Sequence, residues 1–86
     1  MRLDDKRPQI DYPCAWTYRI VCTDESAVRA AVIEIVGDSE HTLVAVRASS
    51  GGRYHTLELE LVVRDETQRN RIFQALGGLP EVRLLL

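Results

Sequence analysis

The segment R-A-S-S-G-G-R-Y-H-T-L-E-L-E-L-V-V, Arg47 to Val63, constrains the fold more than any other part of the chain. Ser49-Ser50-Gly51-Gly52 is a cluster of turn formers, and Leu57-Glu58-Leu59-Glu60-Leu61 behind it alternates apolar and acidic residues with period two. Successive side chains of a pleated strand point to opposite faces, so this is a strand with one buried and one wet face, entered from a tight reversal. The chain has 86 residues, which is one domain. Its two halves must arrange themselves on either side of this strand.

Going back to the start, residues 1–11 carry mixed charge and little apolar periodicity, and read as a flexible lead. Pro13 biases Tyr12 toward an extended backbone and marks the entry to a single domain over residues 12–86. Ala15 to Cys22 is a first strand, with Trp16, Tyr18, Ile20 and Cys22 on one face and Thr17, Arg19 and Val21 on the other. Thr23 or Asp24 caps a helix from about Glu25 to Val36, whose Val28, Ala31, Val32, Ile35 and Val36 form an apolar stripe closed by Gly37. Thr42 to Ala48 is a short second strand, with Val44, Val46 and Ala48 on one face, and Tyr54 to Val63 is the third. Asp65 and Gln68 make an Asp-x-x-Gln capping box for a second helix, with Ile72, Phe73 and Leu76 as its buried stripe and Gly77-Gly78 at its end. Val82 to Leu86 is the last strand, in which alternation groups Leu84 and Leu86 with Val82, and Leu85 with Arg83.

The order β-α-β-β-α-β predicts an α+β, ferredoxin-like sandwich: a four-stranded antiparallel sheet with two helices on one face. Right-handed crossovers put the first and third strands in the centre and the second and fourth at the edges.

Chemistry is less legible. Cys14, Cys22, His41 and His55 are the thiol and imidazole ligands, and no pair has the close spacing of a zinc site, so no metal is expected. Ser49 and Ser50 read as turn residues, and Glu58 and Glu60 as the solvated side of their strand. No cofactor or catalytic set is expected. Arg47 and Arg53 flank a glycine turn that could cradle an anion, but the turn joins two strands and lacks a phosphate loop's spacing and lysine. The net charge of −2 gives no global basic field. RNA-recognition domains share this element order, yet the acidic third strand would repel phosphate, which leaves Arg19, Arg47 and Arg53 as the basis of a weaker nucleic-acid reading. With no apolar run of membrane length and no signal peptide, the expected location is the cytoplasm.

Three segments carry a family resemblance: Tyr12-Pro13-Cys14 with Trp16-Thr17-Tyr18-Arg19-Ile20-Val21, then Arg47 to Thr56, then Leu79-Pro80-Glu81-Val82-Arg83-Leu84-Leu85-Leu86. Together they resemble the YbeD-like family, small bacterial proteins of unknown function. The resemblance implies a fold akin to the ACT-type regulatory domains, which bind small effectors near the first strand–helix turn. Cys22 stands where the family usually has glycine, and Gly51 where it usually has lysine. The expectation is a non-enzymatic regulatory or interaction domain that senses a small effector or binds a protein partner or a second copy of itself. Arg47, Ser49, Ser50, Gly51, Gly52, Arg53 and Tyr54 are the candidate interaction surface. The apolar last strand, at an edge, is a further place for a partner.

Overall fold

The computed structural model describes residues 10–48 and 51–86. Most of the expected lead, and Ser49 and Ser50 of the turn, lie outside the described residues. The elements are β1 (Cys14–Cys22), α1 (Glu25–Val36), β2 (His41–Ala48), β3 (His55–Val63), α2 (Glu66–Gly77) and β4 (Val82–Leu85). They form one antiparallel sheet in the order β2-β3-β1-β4, the ferredoxin-like arrangement.

Local chemistry sets the helix ends. Asp24 caps α1, its Oδ1 accepting from the Ala27 N–H at 3.0 Å. Gly37, at φ 64°, closes α1 in the left-handed region that a side chain disfavours. Asp65 caps α2 through the Gln68 N–H at 2.8 Å. The reciprocal bond of the expected capping box is displaced by one residue. Gln68 Oε1 accepts from the Arg64 N–H at 2.6 Å, one position before the cap.

The core lies between the sheet and the helices. Tyr18, Ile20 and Cys22 of β1 meet Leu57, Leu59, Leu61 and Val63 of β3, under Val28, Val32 and Val36 of α1 and Ile72 and Leu76 of α2. Burying a side chain such as Leu59 is worth roughly 1.5–3 kcal/mol relative to leaving it exposed. Tyr18 crosses this core with its hydroxyl satisfied, donating to the Arg69 carbonyl oxygen at 2.7 Å.

Phe73 departs from the expected stripe. It is 43% exposed, and the buried line of α2 is Gln68, Ile72 and Leu76 at strict four-residue spacing. Two irregularities in the sheet also redirect side chains. The β2–β3 register shifts between Ala45 and Arg47, so Arg47 rather than Val46 stands opposite Thr56. The β1–β4 register shifts between Val21 and Cys22: Val82 pairs with Cys22, Leu84 with Val21 and Leu85 with Ile20. Arg83 is the extra residue, as in a β-bulge. Val82 therefore packs with Leu85 against the core instead of sharing the side of Leu84 and Leu86, which are exposed.

Candidate functional site on the helix-free face of the sheet

One face of the sheet is covered by α1 and α2, and the other carries the side chains that strand alternation turns away from them. Register fixes how those are laid out. In the order β2, β3, β1, β4, one row reads Arg47, Thr56, Val21, Leu84. The next reads Val44, Glu58, Arg19, Leu86, the last pair held by mutual backbone bonds of 3.0 and 2.9 Å between Arg19 and Leu86. A third reads Thr42, Glu60, Thr17.

Apolar groups occupy the two edge strands, where Val44, Val46, Leu84 and Leu86 are each about half exposed or more. Charge occupies the two central strands, with Arg47 adding a cation at one end of β2. Arg19 reaches Glu58 through Nη2 at 2.6 Å and Nε at 3.1 Å, both onto Oε2. A solvent-facing pair of this kind contributes little to stability, about 0–1 kcal/mol. Its consequence is positional: two opposite charges are held upright in the middle of the face. Between the edges lies a shallow hollow of about 350 Å³ bordered by Arg19, Val21, Val46, Arg47, Thr56, Leu84 and Leu86.

The expected turn surface adjoins this face at one end. Arg47 lies on β2 itself, opposite Thr56. Gly51, Gly52, Arg53 and Tyr54 are exposed in the connection to β3, and Gly52 takes φ 72°, a value that favours glycine. The structure thus brings Arg19 and Arg47 to one face.

The turn between β1 and α1 is occupied by its own bonds. The Thr23 N–H donates to the Glu81 carbonyl at 2.9 Å, and Asp24 is engaged as the cap. Glu25 takes Arg29 Nε at 2.7 Å, and His55 Nδ1 stands 4.0 Å from its other oxygen. Cys22 is fully buried, and desolvation pushes its thiol above the ordinary value. It is therefore a neutral, poorly nucleophilic thiol at neutral pH. Cys14 and Cys22 point to the same side from opposite ends of β1, roughly 26 Å apart at strand rise, and cannot share a site. Among the described residues no three His, Cys, Asp or Glu side chains converge on a point that could hold a metal ion.

A second depression lies beside α2. Trp16, Tyr18, Phe73 and Leu86 line it, and the Arg69 guanidinium stacks 4.6 Å above the Trp16 ring. The sequence reading missed this cleft, and it grouped Val44 and Val46 on one face of an edge strand without saying that this face is the helix-free one. The available signal was that strand alternation puts Val44 and Val46 on the same side as Arg19 and Glu58 once the strand order is known.

Residues 7–86 match the family model described as Protein of unknown function (DUF493). The chain belongs to this family. An uncharacterised Helicobacter pylori protein is 28% identical over 82 residues, covering 95% of each chain. A UPF0250 protein of Yersinia pestis is 28% identical over 80 residues, covering 90% of this chain and 91% of its own. These DUF493 and UPF0250 matches bear out the resemblance to YbeD-like proteins. The solution structure of a Helicobacter pylori protein superposes with a TM-score of 0.84 at 28% identity, over all of this chain and 94% of that one. The C-terminal domain of the Mycobacterium tuberculosis MgtC protein shares the fold, with a TM-score of 0.63 at 21% identity over 91% of this chain and 89% of that domain. Among the described residues no helix is long and apolar enough to cross a membrane.

Proposed function

We propose that this DUF493 domain is a non-enzymatic, cytoplasmic interaction module that engages a protein partner through the helix-free face of its sheet. One observation carries the reading. Val44, Val46, Leu84 and Leu86 leave apolar surface on both edge strands, flanking the ordered Arg19–Glu58 pair. Apolar edges around a satisfied polar centre give a partner both burial and orientation. Regulation of the partner accords with the ACT-like resemblance. Direct effector binding at the turn between β1 and α1 draws less support, because Thr23 and Asp24 are already bonded there. Nucleic acid is the weaker reading. Arg47 favours it, but Arg19 is tied to Glu58, and the rows of this face contain Glu60 and no aromatic among the described residues.

The test is affinity capture from the host cell with three forms of the chain: wild type, a Val44→Lys/Leu86→Lys variant, and an Ile33→Lys control on the exposed side of α1. The reading expects one partner with wild type and with Ile33→Lys, and its loss with the sheet variant. A partner retained by the sheet variant and lost by Ile33→Lys refutes it.

A further inference from the structure

We infer that the helix-free face binds a second copy of this chain, the two sheets packing face to face about a two-fold axis that runs parallel to the strands between β1 and β3. The inference rests on the interaction reading above and names its partner. What selects a second copy is that the face is its own complement. A two-fold axis in that direction keeps each row level and reverses the order of the strands, so β2 faces β4 and β3 faces β1 of the second copy.

The reversal matches chemistry best in the middle row, Val44, Glu58, Arg19 and Leu86. Val44 comes over Leu86, so the apolar edges meet there, and in the adjoining row Arg47 comes over Leu84 with the bulged Val46 beside it. Thr56 comes over Val21, and Glu58 over Arg19. Each copy presents an acid on β3 and a base on β1, and the reversal sets each acid against the other copy's base. At the ~10 Å spacing of stacked sheets, an arginine reaches a facing carboxylate. The within-copy Arg19–Glu58 bonds then become half of an alternating four-charge ring. A two-fold axis across the strands would instead put Arg19 over Arg19 and Glu58 over Glu58. Charge therefore selects the first axis and sets the orientation.

The four strands at ~4.8 Å spacing and three rows of side chains give a face of about 19 Å by 20 Å. This is small beside the roughly 800 Å² per partner of a standard interface, so the dimer forms at high concentration and dissociates on dilution.

The experiment is sedimentation velocity from micromolar to millimolar chain, with Arg19→Glu, Glu58→Arg and an equimolar mixture of the two. Circular dichroism checks that each is folded. Arg19→Glu sets acid against acid across the axis, and Glu58→Arg sets base against base, so each alone stays monomeric. In the mixture every facing pair is again opposite in sign, and a heterodimer forms. The bonds within each copy are broken in both variants, so recovery on mixing comes only from contacts between copies. Leu86→Lys, which leaves the charges in place, also gives a monomer. Wild type that is monomeric to millimolar concentration overturns the inference, as do single variants that dimerise like wild type or a mixture that stays monomeric. A monomer whose face still captures another protein removes this inference and leaves the proposed function standing.

Discussion

Replacing Tyr18 by Phe removes one oxygen from the centre of the molecule and leaves the ring in place. Tyr18 is 1% exposed, and its hydroxyl spans from β1 to the Arg69 carbonyl in the first turns of α2 at 2.7 Å. A net intramolecular hydrogen bond is worth about 0.5–1.5 kcal/mol, so Tyr18→Phe is expected to lose about 1 kcal/mol at neutral pH. For a domain of this size that is a fall of about 5 °C in Tm. Burial raises the phenol above its ordinary value of 10.0, with the Arg69 charge pulling it partly back. A group whose folded pKa is raised contributes stability that is complete below its unfolded value and is lost as pH rises through the folded value. Wild type therefore loses this contribution above about pH 10 while the phenylalanine variant has none to lose, and the gap between them narrows. Urea unfolding of both proteins in parallel, from neutral to alkaline pH, cancels the titrations they share. A variant as stable as wild type at neutral pH, or a gap that stays constant into the alkaline range, refutes the assignment of this bond as the tie between sheet and helix.

Two further stability measurements test the packing of α2. Ile72→Ala should cost about 2–5 kcal/mol, and Phe73→Ala less than about 1.5 kcal/mol, because Ile72 is fully buried and Phe73 is 43% exposed. Equal losses in chemical denaturation would place Phe73 back in the core. Gln68→Glu keeps an acceptor for the Arg64 N–H and puts negative charge at the start of α2, so it should be at least as stable as Gln68→Leu, which loses about 1 kcal/mol despite its apolar side chain. A leucine variant more stable than the glutamate variant would show that packing, and not the bond to Arg64, sets the preference at this position.

The sequence made the architecture legible because its local signals agree with each other. The limits of α1 follow from an oxygen at Asp24 and a glycine at Gly37. The inward leucines of β3 follow from period two, and the edge positions of β2 and β4 from crossover handedness. What escaped depends on contacts between distant segments. Arg83 is an ordinary strand residue until β4 meets the end of β1, where the register shift separates Val82 from Leu84 and Leu86. In the sequence Gln68 is legible only as a capping residue, because a polar side chain does not count toward an apolar stripe; its bond to Arg64 is what lets it be buried. Phe73 sits beside Ile72 in sequence but faces the cleft by Trp16 and Leu86. For the candidate site, the sequence marked Arg19, Arg47 and the glycine turn. The pairing of Arg19 with Glu58 needs the register of β1 against β3, and the apolar flanks need both outer strands placed.

The proposed working surface is the helix-free face of the sheet. Amide chemical-shift mapping of the isotopically labelled chain tests it most directly, first against its own concentration and then against the captured partner. The expected shifts concentrate at Arg19, Val21, Val44, Val46, Glu58 and Leu84, with the exposed sides of α1 and α2 unchanged. Shifts centred on Ile33 or Phe73, with the sheet face silent, would contradict it.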